Sequence, residues 1–210
     1  MFRILRYAQQ MGINSLEDTE GVMLLNQGGA VSVLDTAYAY SVFASLGLMR
    51  GVPVEPLARG LRVRDPVAIL KIEAPDGEVL WEYTPVEVGL NQITLPEPGL
   101  AYLVTDILAD QRTRWGVIGQ GTALDLSRPG AVVNGLAGGS GDGGRAGAWT
   151  VGYTPQYVVA AHLSRRDGEA MGLDAFGLDG AAPVWRGLME YVHTRDGLSP
   201  TLWERPTNIV

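Results

Sequence analysis

Cysteine is absent from the 210 residues, and lysine occurs once, at Lys71. Without cysteine there is no disulfide, no thiolate metal site and no thiol nucleophile. Histidine occurs twice, at His162 and His193, without the spacing of a ligand pair, so no metal or other cofactor is expected. Positive charge is also scarce: 16 Lys and Arg face 23 Asp and Glu, a net charge of −7. That balance argues against a nucleic-acid partner, which needs clustered basic side chains. No run of 18 apolar residues exists, so no segment reads as a membrane-crossing helix. The longest apolar tract, 29–49, is broken by Ser32, Asp35, Thr36 and Ser41. The first residues carry Arg3 and Arg6 but no apolar h-region. They do not read as a signal peptide, and any export signal is expected in sequence outside these residues.

What is present is a globular composition, 46% hydrophobic and 19% charged, in a chain long enough for one domain with a core. Apolar residues at helical spacing predict a helix from Phe2 to Met11, closed by Gly12. An acidic linker follows over 14–21, then an apolar segment at 22–25 and a turn at Gln27-Gly28-Gly29. Ser32 with Asp35 three residues on reads as a capping box. The helix it opens, Val33 to Leu46, should bury most of its surface, with Leu34, Ala37, Tyr38, Ser41, Val42 and Ser45 along one face. Segments 67–72 and 78–83 flank Pro75-Asp76-Gly77 and predict a hairpin. Residues 85–98 read as extended and turn-rich. Leu100, Leu103, Val104, Ile107 and Leu108 give a helical stripe over 99–110, and 111–128 reads as irregular.

Three strand-like runs come next: Ala131 to Val133, Trp149 to Tyr153 and Tyr157 to Leu163. A glycine-dense loop divides the first two, and Thr154-Pro155 divides the last two. After a Gly- and Asp-rich loop over 167–180, a helix is predicted from Ala181 to His193, with Val184, Trp185, Leu188, Met189 and Val192 as its stripe. The remaining tail, with Pro200 and Pro206, should be irregular.

Several candidate chemistries fail. Gly139 to Gly144 matches GxGxxG in form, but that motif should open a helix, and here Arg145 leads into a strand. No Gly-Lys-Ser/Thr follows, and no GxSxG surrounds Ser140. Asp106 and Asp110 lie one turn apart, the spacing of solvated helix charges as much as of an acid–base pair. The two histidines and the tryptophans Trp115, Trp149, Trp185 and Trp203 read as structural.

Taken together, several segments resemble the transpeptidase domain of class A penicillin-binding proteins. They are Leu24 to Gly51; Leu70-Lys-Ile with Asp76-Gly-Glu-Val-Leu; Ala101 to Asp110; Ser127-Arg-Pro; Trp149-Thr-Val-Gly-Tyr-Thr-Pro155; and Gly180-Ala-Ala-Pro-Val-Trp-Arg186 with Met189. They keep the family's order across 1–190. The resemblance implies an α+β fold of three layers, an antiparallel sheet flanked by helices, incomplete at the N-terminus. It divides the chain into a partial transpeptidase-like domain over 1–194 and a tail over 195–210. Within the domain it distinguishes a helical part (1–60), a hairpin (67–83), a helix (99–110) and a sheet with C-terminal helix (130–193).

The resemblance also implies acyl transfer through a serine ester, inhibited by β-lactams, with a peptidoglycan stem peptide as substrate. The parent protein would be membrane-anchored and act on the extracytoplasmic face. That chemistry uses Ser-x-x-Lys, Ser-x-Asn and Lys-Thr-Gly. No Ser here has Lys three positions on or Asn two positions on. Aligned from Pro129, the third motif falls on Val133, Asn134 and Gly135; aligned back from Trp149, it falls on Leu136, Ala137 and Gly138. Neither register supplies a lysine. Val133 cannot make the charge-assisted hydrogen bond that a lysine makes, worth about 1.5–3 kcal/mol. No catalytic residue is therefore assigned. Val133, Asn134 and Gly135 are the candidate substrate-binding residues, and a non-catalytic peptide-binding or scaffold module is the alternative.

Overall fold

The computed structural model describes residues 2–16, 31–54, 62–84, 97–138, 145–167, 169, 171 and 177–209. The apolar segment at 22–25, the stretch 85–96 and the glycine loop 139–144 lie outside them. In chain order the elements are α1 (Phe2–Gln10), α2 (Val33–Ala44), β1 (Val52–Pro53), β2 (Arg64–Asp65), β3 (Lys71–Glu73) and β4 (Val79–Glu82). There follow α3 (Pro98–Ala109), α4 (Gln111–Ile118), β5 (Ala131–Gly138), β6 (Arg145–Tyr153), β7 (Val158–Ser164) and α5 (Ala181–Arg195).

Strands β5, β6 and β7 form an antiparallel sheet in that order. Pleating sends alternate residues to opposite faces. Val132, Ala148 and Ala161 face α5 and pack with Ala181, Ala182, Trp185 and Met189. Ala131 and Tyr153 face the other way and pack with Ala44 of α2, beside Leu108 and Ala109 of α3. The result is the expected α+β arrangement, a sheet between helical layers. Small side chains let the helices approach closely. At Gly152 a Cβ would lie 2.3 Å from the Trp185 ring and 2.7 Å from the Ala131 carbonyl oxygen.

Helix α2 begins as the sequence indicates: the Asp35 N–H donates to Ser32 Oγ at 3.0 Å. The capping box is not reciprocal, however. The Ser32 N–H donates instead to Ser15 Oγ (2.9 Å), and the Asp35 carboxylate accepts from the Ser15 N–H (2.7 Å) and from Arg62 Nη1 (2.5 Å). Arg62 also donates to the Gly12 carbonyl and to Asp65. This buried cluster ties α1, α2 and β2 together. Burial pushes the Asp35 carboxyl up, but the hydrogen bonds from Arg62 and Ser15 outweigh that and hold it below the usual carboxylate range.

Three expectations are corrected. Residues 111–128 are not wholly irregular, because 111–118 form α4. Asp110 caps it by accepting from the Thr113 N–H at 3.1 Å, and Gly119 at φ +80° ends it. Of the predicted stripe of α3 only Leu108 packs toward the sheet; Leu100, Leu103, Val104 and Ile107 are exposed, and the buried residues are Gly99, Ala101 and Thr105. Leu34 of α2 is likewise exposed, as are Val184 and Leu188 of α5. In each helix the sequence shows an apolar surface wider than the one the described residues cover.

Candidate functional site

The candidate site is on β5, a strand at the border of the sheet. Ala131 and Val132 are buried, Val133 and Asn134 are half-buried and Gly135 is exposed, so the strand runs from the core outward. Val133 lies opposite Val151, Asn134 opposite Thr150 and Gly135 opposite Trp149. By alternation, Asn134 shares the α5-side face with Val132, whereas Val133 and Gly135 share the α2-side face with Ala131.

Thr150 is fully buried, and its hydroxyl donates to Asn134 Oδ1 at 2.7 Å. That bond fixes the carboxamide with its oxygen toward the sheet and leaves its N–H groups for other partners. Gly135 is bare: nothing lies within 4 Å of the position a Cβ would occupy. Across from it, Trp149 stacks on His162 with ring centroids 4.3 Å apart. Partial burial pushes the His162 imidazole below its usual range, which leaves it neutral at pH 7. The row Gly135, Trp149, His162 thus offers an open glycine and an aromatic pair, with no cation among these side chains.

The other motif residues are structural. Gly152 admits the Trp185 indole. The Tyr153 hydroxyl lies 3.0 Å from Thr105 Oγ1, fastening α3 to the sheet. Thr154 Oγ1 accepts from the N–H groups of Gln156 and Tyr157, shaping the β6–β7 turn, and lies 3.0 Å from His193 Nε2. His193 is buried, and its Nδ1 donates to the Met189 carbonyl. The Ser127 N–H and hydroxyl donate to Glu190 on α5, and Arg128 Nη1 donates to the Leu198 carbonyl, so Ser127-Arg-Pro anchors the entry to β5. Of the acidic pair, Asp110 is engaged with Thr113 as the α4 cap, which holds it below the usual carboxylate range, and Asp106 is exposed.

A groove elsewhere in the molecule is separate from this site. It has a volume of about 710 Å³ and runs between α2, the hairpin base and the C-terminal tail, lined by residues including Tyr38, Arg50, Tyr83, Tyr157 and Trp203. Val133, Asn134 and Gly135 are not among its lining residues. Among the described residues no three His, Asp or Glu side chains converge as metal ligands, and no helix is long and apolar enough to cross a membrane.

No family model matches the chain. Among curated proteins it is similar to penicillin-binding protein 1A of Neisseria cinerea, 28% identical over 186 residues, which are 88% of this chain and 21% of that protein. It is also 28% identical over 187 residues to penicillin-binding protein 1A of Neisseria meningitidis serogroup B. The chain therefore spans about a fifth of the length of the relatives it matches. Among solved structures, PonA1 of Mycobacterium tuberculosis superposes with a TM-score of 0.67 at 21% identity, covering 98% of this chain and 52% of that one. PBPA of the same organism superposes with a TM-score of 0.62 at 16% identity. PonA1 has also been solved in complex with penicillin V. The expected resemblance to the C-terminal part of a penicillin-binding-protein transpeptidase domain is borne out, in sequence and in fold.

Proposed function

We propose that this chain is the C-terminal portion of a transpeptidase domain serving peptidoglycan cross-linking, and that by itself it does not acylate. Its substrate class is the peptidoglycan stem peptide, with β-lactams as mimics. Its parent works on the extracytoplasmic face of a bacterial membrane, held there by sequence outside these residues. The partial domain is assigned to 1–194 and the tail to 195–210. The tail is nonetheless pinned to α2, where Trp203 Nε1 donates to the Ala44 carbonyl at 2.8 Å.

The observation that carries this reading is the β5–β6 pair. It sets the Trp149–Pro155 motif in register beside a strand segment that runs from half-buried Val133 and Asn134 to exposed Gly135, at the border of the sheet formed by the described residues. Such a border offers unpaired main-chain groups to an extended peptide. Serine acyl transfer needs a nucleophile beside a base, and the sequence holds no Ser-x-x-Lys to supply it. The test is exposure to a fluorescent penicillin. The 210-residue chain alone should take no covalent label, whereas a product that also carries Ser-x-x-Lys and Ser-x-Asn should be labelled. Label on this chain alone would overturn the reading.

A second reading, a non-catalytic peptide-binding or scaffold module of the wall machinery, is favoured by the apolar Val133 and by the Asn134 carboxamide already held by Thr150. Binding of a peptide ending in D-Ala-D-Ala, with no label in any longer product, would select it.

A further inference from the structure

The two helical layers are held to the sheet unequally. On the α5 side, eight buried residues form one cluster, Trp185 and Met189 among them. On the α2 side, the cluster that reaches the sheet has three among the described residues: Ala44, Ala131 and Tyr153. What the α2 side lacks in core, the last residues of the chain supply. Gly197, at φ +60°, turns the chain out of α5. The tail then crosses the α2 side. The Leu198 carbonyl accepts from Arg128 Nη1 at the entry to β5, and Thr201 Oγ1 accepts from Gln156 Nε2 at the β6–β7 turn. Trp203 sets its ring edge-on to Tyr153, with centroids 5.6 Å apart.

The tail also finishes two helix ends on this side. The last carbonyls of a helix have no partner inside it. At the end of α2, the Ala44 carbonyl accepts from Trp203 Nε1 across 159 residues of sequence. At the start of α3, the N-cap residue Glu97 makes no side-chain cap bond. Its carboxylate accepts instead from Asn208 Nδ2 at 3.0 Å. Gly99, in the first turn of α3, lets the tail come close: a Cβ there would lie 3.1 Å from Asn208 Nδ2 and from Ile209 Cδ1. Leu202, Trp203 and Glu204 form one wall of the groove beside α2. We propose that residues 198–209 are a strap, pinned by Trp203, that holds the end of α2 and the start of α3 to the sheet. When the strap lifts, this layer and its groove open together while the α5 side stays folded. The strap acts whether or not the chain acylates, so it stands apart from the functional reading above.

The test is native-state hydrogen exchange of the 210-residue chain, followed amide by amide by NMR. In the wild type, the amides of 42–45 and of 101–104 should exchange through one shared opening. That opening should be faster, by roughly tenfold or more, than the one that exposes the amides of Trp185 and Met189. Trp203→Ala removes the pin and should accelerate both groups of the layer by the same factor. A chain ended at Gly197 lacks the strap and should have the layer open outright. Its amides at 42–45 and 101–104 should then be unprotected, with those of Trp185 and Met189 still protected. Layer amides as slow as Trp185 in the wild type overturn the proposal. So does a response to Trp203→Ala at one helix end without the other. A shortened chain that keeps the layer closed overturns it as well. A shortened chain that unfolds altogether does the same, because the layer would then have no opening of its own.

Discussion

Strands β5 and β6 are neighbours in one sheet, yet they are built to opposite ends. Along the second half of β6 the neighbouring structure occupies the residues: Thr150 holds Asn134, Gly152 receives Trp185 and Tyr153 meets Thr105. Beyond the buried Val132, β5 has become open by Gly135, which touches nothing where a side chain would stand. The motif Trp149–Pro155 is therefore a record of packing. The segment Val133-Asn134-Gly135 instead leaves the core: Asn134 is still held by Thr150, and Gly135 meets nothing.

The largest break in this comparison should come from Trp185→Ala, which empties the α5 side of β6. Removing a fully buried tryptophan costs about 3–5 kcal/mol, read as a drop in the midpoint of urea unfolding. The Trp185 indole N–H is buried with no partner among the described residues. Trp185→Phe should therefore recover much of the loss, since it removes an orphan donor as well as some packing.

A comparable effect is expected at Asp35, buried beneath the α2 layer. Asp35→Ala leaves Arg62 buried without its main counter-ion, at a cost of about 3–5 kcal/mol. The pH dependence has a definite sign. The folded-state pKa of Asp35 lies below the ordinary value of an aspartate, about 3.9. Its contribution is thus complete above that value and is lost as pH falls through the lower, folded pKa. Unfolding midpoints of the wild type and of Asp35→Asn should converge as the solution is acidified below about pH 4. A gap that stays constant to pH 2 would refute the assignment.

The smallest effects compare the two strands directly. Gly152→Ala puts a methyl group 2.3 Å from the Trp185 ring, and overpacking of that kind costs about 1–3 kcal/mol. Gly135→Ala meets open space and should raise stability by about 0.5 kcal/mol through the unfolded chain. Equal melting temperatures for the two variants would erase the distinction between a packed strand and an open one.

Much of the fold was legible in the residues. The helix at 181–193, the hairpin about Gly77 and the three strands all stand within a few positions of their expected places, because period and turn chemistry are local signals. Helix α4 was missed because it is short and carries no buried residue, so no apolar period marks it; its one signal is Asp110 as a cap. The Arg62–Asp35 pair was missed because its partners are 27 residues apart. The faces of α3 and α5 were misjudged for a related reason. A hydrophobic stripe says that a helix face prefers burial, not which neighbour covers it.

By itself, the sequence determined the order of the longer helices and strands, the family resemblance and the absence of Ser-x-x-Lys, Ser-x-Asn and any lysine near the third motif. Those are properties of local spacing and residue identity. Only the tertiary structure decided that Asn134 is locked by Thr150, that Gly152 exists to admit Trp185, and that the apolar rows of α3 and α5 lie bare. Each of these depends on groups brought together from distant parts of the chain, and only packing sets that proximity.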